Sequence, residues 1–538
     1  MNATLRTLLL TGSLALASNA AAELKLSAII GDNMVLQQKQ SDPIWGWDNP
    51  GTQVTVSFAG QTKSATADAK GKWTVKLDPM PANAKPATMT IKGTSTRELK
   101  NILVGEVWVC SGQSNMGFNV SSMWDADLEI ATAKYPNIRL ISVPQVGTQE
   151  IQDDFKGQWE PCSPANAGQF SAVGFCYGRL LHEILNVPVG LIDNAWGGSS
   201  AEAWVRRDVL ESDKRFADLM KTWKQNEANF TQEGFDKQVA AHKEKLAAWA
   251  KARQEAIKAG KPVPQAPRGP QNPMTGQHRP GNLYAGVLHP IIGYGIKGAI
   301  WYQGESNASR AAEYAELFPL MIQHWRTEWK QGDFPFYWVQ LADFKPEQPL
   351  PGDSDWAELR AAQTLTMSKV PNGGQCVITD LGEDADIHPK NKRDVAERLV
   401  RWALVKDYGM KLPYRSPEFK SMKIEGNKAI VTLDTFGSAI RTVDAPTVKG
   451  FAICGEDKKW EWADAQIVGN DTVAVSSPKI AKPIAVRYAW ADNPVCNLYS
   501  KDGLPVTSFR TDNFPKAVPA PTPVVKPAQP TKPKRATK

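Results

Sequence analysis

Five short apolar runs constrain the fold of this chain more than any other feature. They are "LVGEVWVC", "PVGLIDNA", "IKGAIWYQ", "PFYWVQLA" and "GGQCVITD", spread over residues 103–380 and separated by helix-forming stretches. Short apolar strands alternating with helices predict a mainly parallel sheet covered on both faces. In such sheets, ligands bind just beyond the carboxyl ends of the strands. The residues that follow each run are therefore the place to look for chemistry.

The rest of the chain frames this α/β region. Residues 23–101 alternate polar and apolar residues ("TQVTVSFAG", "GKWTVKL", "ATMTIKG") between turn sequences, which predicts a β-sandwich-like module. The α/β region then spans 102–411. Within it, about 208–280 reads as a helical insertion rich in Lys, Glu, Ala and Gln, either a flap beside the site or a solvated hairpin. Residues 412–514 return to β character, and 515–538 have the Pro- and Lys-rich composition of a disordered tail.

The first 22 residues read as a signal peptide: Arg6, an apolar core at Leu8–Ala17, then three alanines before Glu23. The expectation is an exported protein, periplasmic or secreted, and no later run is long enough for a spanning helix. The net charge of +7 does not point to nucleic acid. Lys516, Lys526, Lys532, Lys534, Arg535 and Lys538 in the tail, with Arg6, account for all of it, leaving the body neutral. Nineteen tryptophans suit a sugar-handling protein, although core packing explains most tryptophans in any fold. Of the six cysteines, Cys454 and Cys496 form the expected pair, and Cys110 within its apolar run reads as a buried thiol.

The strand ends deliver different chemical parts. After the first run comes Ser111-Gly112-Gln113-Ser114-Asn115, and after the second Trp196-Gly197-Gly198-Ser199-Ser200. The third run leads to Gln303-Gly304-Glu305-Ser306-Asn307 and the fifth to a loop ending Asp386-Ile387-His388-Pro389. A serine becomes a nucleophile when a base takes its proton and donors stabilise the oxyanion. Of six histidines, only His388 follows a strand and an acidic loop, then a helix whose apolar face is Val395, Leu399 and Trp402. It is the expected base. Asp386 is the favoured orienting acid, with Asp384 and Asp380 as competitors.

The expected oxyanion donors are the backbone of Ser114, the backbone at Gly197, and the side-chain amide of Gln303. Asn115, Glu305, Asn307 and Arg279 are candidate substrate contacts, with Asn307 also a reserve donor. His278 and His289 could touch substrate. No His/Asp/Glu spacing suggests a metal, and no cofactor is expected.

"SGQSNM", "WGGSSAEAW", "WYQGESN" and "DIHPKNKRDVAERL", in this order, resemble the sialate O-acetylesterase family of SGNH/GDSL-type hydrolases. "GDNMVLQ" and "IWGWDNPG" extend the resemblance into the N-terminal module. The resemblance implies a flavodoxin-like, three-layer α/β catalytic domain and metal-independent removal of acetyl groups from sugars, with acetylated glycan or sialic acid as partner. It makes Ser114 the nucleophile, His388 the base, and Gly197, Gln303 and the Ser114 amide the oxyanion hole. Two blocks depart from the wider superfamily: Gln303-Gly304-Glu305 stands where many relatives have Gly-x-Asn, and Asp-x-His where many have Asp-x-x-His, which puts Ala385 at the more distant position. An esterase of plant hemicellulose and a non-catalytic carbohydrate-binding protein are the rival readings.

Overall fold

The computed structural model describes residues 23–515; the expected signal peptide (1–22) and the tail from residue 516 lie outside the described residues. Its centre is a sheet of seven strands: β1 (Thr96–Gly112), β2 (Tyr135–Ser142), β3 (Glu160–Cys162), β4 (Val189–Asp193), β5 (Gly298–Tyr302), β6 (Phe336–Val339) and β7 (Gly373–Cys376). They lie in the order β3-β2-β4-β1-β5-β6-β7. All neighbours pair in parallel except β3 against β2. All five apolar runs fall on strands. Two strands carry no such run: β3 has only three residues, and β2 carries Pro136, Asn137 and Arg139, which dilute its apolar signal.

Period-two alternation divides each strand between two cores. Val107, Val109, Trp301 and Trp338 enter one cluster, whereas Trp108, Cys110, Tyr302 and Val339 enter the other. Helix α1 (Ala172–Leu185) and helix α4 (Lys392–Lys406) cover the second face; α2 (Ala311–Trp329) and α3 (Asp355–Lys369) cover the first. Ser171 and Ser354 start α1 and α3 by accepting N–H groups of Gly174 and Ala357, both at 3.0 Å. The tryptophans mostly fill these cores: Trp108, Trp204, Trp301, Trp325 and Trp338 are fully buried.

The strand order decides where a site can form. Taken in chain order, the parallel strands lie 2-3-1-4-5-6, a different neighbour relation from the 2-1-3-4-5 flavodoxin order. The winding reverses at β1, which has β4 on one side and β5 on the other. The crevice at such a switch point opens at the carboxyl end of β1, where Ser114 stands.

The expected boundary at 101/102 falls inside a continuous strand. The first part of β1 pairs with Asn83–Lys92 and Val35–Gln37, and Asn101 within it has φ +60°. The N-terminal module is a sandwich in which Ile44, Trp73 and Val75 pack with Val54, Val56 and Ile91. A second sandwich forms from 418–510, with Val431, Val473 and Val475 against Ile453, Val486 and Tyr488. In the insertion, the helix Gln232–Lys258 buries none of its residues, which fits the solvated-hairpin reading. The expected Cys454–Cys496 pair is corrected: all six cysteines are free thiols. Cys454 lies on an inner strand of the second sandwich, while the thiol of Cys496 sits beside Thr379 and Arg360. Among the described residues, no helix is long and apolar enough to cross a membrane.

Candidate active site

β1 ends because its chain turns tightly against β5. Gly112 has φ +133°, and a Cβ there would lie 2.2 Å from the Tyr302 carbonyl oxygen, so only glycine fits. Gln113 N–H donates to that same oxygen at 2.9 Å, and Gln113 C=O then accepts the N–H groups of Met116 and Gly117. This turn lifts Ser114 above the sheet edge. Among the described residues, the Ser114 N–H meets no protein acceptor.

The histidine expected as base reaches it. His388 Nε2 stands 2.8 Å from Ser114 Oγ. The ring stacks on Phe118, with centroids 6.4 Å apart and planes at 24°. Behind it, α4 begins at an Asn391 cap and buries Val395, Leu399 and Trp402, the apolar face expected from sequence.

Among the three candidate acids, only Asp386 faces the imidazole. Its Oδ1 lies 3.4 Å from His388 Nδ1 and also accepts the His388 N–H at 2.9 Å. Asp380 is held by Nη1 and Nη2 of Arg398, at 2.6 and 2.7 Å, and by Tyr499 Oη at 2.9 Å. Asp384 is exposed and contributes a backbone carbonyl to Lys345 N–H.

Gly197 lies directly beside the nucleophile: a Cβ on it would be 3.4 Å from Ser114 Cβ and 3.7 Å from Ser114 Cα. Among the described residues its N–H also meets no protein acceptor. Two backbone donors thus remain open beside Ser114.

The expected third donor is corrected. Gln303 is fully buried, and its amide donates to Ser199 C=O at 3.0 Å and to Asn307 Oδ1 at 2.7 Å. Both of its hydrogens are engaged, and Tyr314 Oη donates to its carbonyl. Asn307, the reserve donor, is engaged in the same network: Oδ1 also accepts Ala201 N–H at 3.0 Å, and Nδ2 donates to Glu202 at 2.9 Å. These two amides brace the β4 and β5 loops against each other.

Asn115 and Glu305, expected against substrate, instead join the loops from beneath. Asn115 Nδ2 donates to Glu305 Oε1 at 2.7 Å and to Ile387 C=O at 3.0 Å, while its Oδ1 accepts from Lys392 Nζ at 2.6 Å. Burial pushes the Glu305 carboxyl up and pulls the Lys392 ammonium down to about 7. Lys392 Nζ also sits over the Phe118 ring at 4.8 Å. Arg279 does not line the cavity that holds Ser114; it donates to Glu227 at 2.8 Å and to Met274 C=O at 3.0 Å. His278 Nδ1 pairs with Ser200 Oγ at 2.8 Å and His289 Nδ1 with Gln152 C=O at 2.9 Å.

A cavity of about 500 Å³ opens over the Ser114–His388 pair, with Phe118, Gly197, Gln145 and Asp193 among its walls. Three of the residues that shape the site, Phe118, Lys392 and Asp193, were not singled out from sequence. Asp193 ends its apolar strand and had a strand-end signal of its own. Lys392 is hidden among the charged residues of a helix start, so nothing in the sequence marks it as buried.

The chain is similar to known carbohydrate esterases. The family described as "Carbohydrate esterase, sialic acid-specific acetylesterase" matches residues 280–401. The mouse sialate O-acetylesterase is 30% identical over 519 residues, covering 87% of this chain and 90% of the mouse protein. The human sialate O-acetylesterase is 28% identical over 544 residues, covering 91% and 94%. Among solved structures, a novel carbohydrate acetylesterase from Xanthomonas citri is 35% identical with a TM-score of 0.76, covering 91% of this chain and 100% of that one.

Proposed function

The chain belongs to the sialate O-acetylesterase family of carbohydrate esterases, and from that premise we propose that Ser114, His388 and Asp386 remove O-acetyl groups from sugars through an acetyl-enzyme. The 2.8 Å separation of His388 Nε2 from Ser114 Oγ carries this reading. Ser114 Oγ attacks the acetyl carbonyl carbon while His388 Nε2 takes the hydroxyl proton. The oxyanion lies against the N–H groups of Ser114 and Gly197, two donors at a strand end. As the tetrahedral carbon collapses, His388 returns the proton to the departing sugar oxygen. Water then attacks the acetyl-enzyme with His388 again as base, releasing acetate and restoring Ser114. Asp386 steadies the imidazolium formed in each half-reaction.

Acetylated sialic acid is the substrate that the relatives' names suggest, and we assign it here. The assignment to an SGNH-type catalytic domain over 102–411, flanked by β modules, and export through 1–22 belong to the same reading. It is tested by acetate release from O-acetylated sialic acids, acetylated xylan and acetylated xyloglucan, with the Ser114→Ala protein as control. Release from sialic acids alone supports it. Equal rates on all three polymers and sugars remove the sialate assignment, and full activity of Ser114→Ala removes the mechanism.

A further inference from the structure

One carboxyl in the cavity has no part in the mechanism above. Asp193 is the last residue of β4, level with Cys110 of β1 and Ser142 of β2 at the same sheet edge as Ser114. It lines the cavity together with Ser114, Gly197 and His388. One oxygen, Oδ1, accepts the Ala195 N–H at 3.0 Å. Among the described residues no Lys, Arg or His pairs with it, and burial lifts its carboxyl to about 7.

An enclosed carboxyl without a cation is costly to keep. The turn at Ala195 does not require it, because an asparagine at 193 would accept the same N–H without the charge. The other oxygen therefore needs a reason, and the cavity supplies one. The groups around it are neutral and hydrogen-bonding: Ser142, Asn119, Gln169, and Gln145, whose amide donates to Ala195 C=O at 3.2 Å. A sugar presents hydroxyl donors on the carbons next to its ester. A carboxylate is the strongest acceptor a side chain can offer them.

We infer that Asp193 is a substrate-binding residue that accepts a hydrogen bond from a free hydroxyl of the sugar neighbouring the acetyl ester. This rests on the esterase reading of the same site. The acetyl group would lie at Ser114 and the two backbone donors, and Asp193 would set which hydroxyl pattern flanks it. A simple acetyl ester without hydroxyls gains nothing from Asp193.

The test compares two substrates on three proteins. Wild type, Asp193→Ala and Asp193→Asn are assayed on a mono-O-acetylated N-acetylneuraminic acid, whose neighbouring hydroxyls are free, and on p-nitrophenyl acetate, which has none. For Asp193→Ala, kcat/KM on the sugar should fall about 10- to 100-fold, mostly through KM, with p-nitrophenyl acetate within about twofold. Asp193→Asn keeps the acceptor for Ala195 N–H and should lose less on the sugar. An equal loss on both substrates would show a merely structural carboxyl and overturn the inference, as would no loss on either. Ser114→Ala, run alongside, separates the premises: if it still hydrolyses p-nitrophenyl acetate, the esterase reading itself is wrong.

Discussion

His388 and Ser114 lie 274 positions apart in the chain, and their side chains meet at 2.8 Å. The contact is built by two loops that leave the carboxyl ends of β1 and β7, strands separated in the sheet by β5 and β6, and Asn115 ties both together through Ile387 C=O and Lys392. Replacing either Ser114 or His388 with alanine should lower turnover by about 10⁴-fold or more. The double variant should be hardly worse than either single one, because the two act as a unit. Steady-state acetate release on the three proteins measures this; additive losses would mean the residues act independently.

Asp386 should matter less than a fully enclosed triad acid. Its carboxylate is 48% exposed and 3.4 Å from the ring nitrogen, longer than a strong charge-assisted hydrogen bond. Asp386→Ala is expected to lower kcat by about 10²-fold, short of the ~10⁴ seen for a buried aspartate. Asp380→Asn should leave kcat nearly unchanged and reduce thermal stability, since it breaks the Arg398 and Tyr499 contacts. The reverse ranking in kcat would reassign the acid.

Gln303→Ala separates a brace from an oxyanion donor. Loss of a donor costs about 10²- to 10³-fold in kcat. The buried bonds to Ser199, Asn307 and Tyr314 predict another outcome. Stability should fall by about 2–4 kcal/mol, as expected when buried partners are left unsatisfied, while kcat per folded molecule stays within about tenfold. Denaturant titration with active-site titration reads both quantities.

Lys392 should leave a pH signature on stability. Its folded pKa is pulled down to about 7 by burial, whereas an unfolded lysine titrates near ~10.4. Between those values the unfolded chain binds the extra proton, so this residue makes stability rise with pH through that window. Lys392→Met should flatten the rise measured by urea unfolding between about pH 7 and 10. Asp193 has the opposite sign. Its folded pKa of about 7 lies above the unfolded one, so its contribution is full at low pH and is lost as pH rises through 7. Asp193→Asn should therefore gain stability relative to wild type above pH 7.

Sequence alone determined the α/β class of the central region and pointed to the two reacting groups of this proposal. Five apolar runs specify strands because period-two burial on both faces needs uninterrupted apolar residues. The strand-end rule then picks out Ser114, Gly197 and the loop of His388. Tertiary structure decided which of the neighbouring polar groups are free to act. Gln303, Asn307 and Arg279 carry suitable donors, yet Gln303 is saturated and the other two are engaged by partners that only folding brings near. Asp380 and Asp386 are alike in sequence, and a single arginine on α4 removes one of them. Lys392 and Asp193 gained importance through burial. Hydrogen-bond saturation and desolvation depend on every atom within a few ångströms, and those atoms come from chain segments that no local pattern connects.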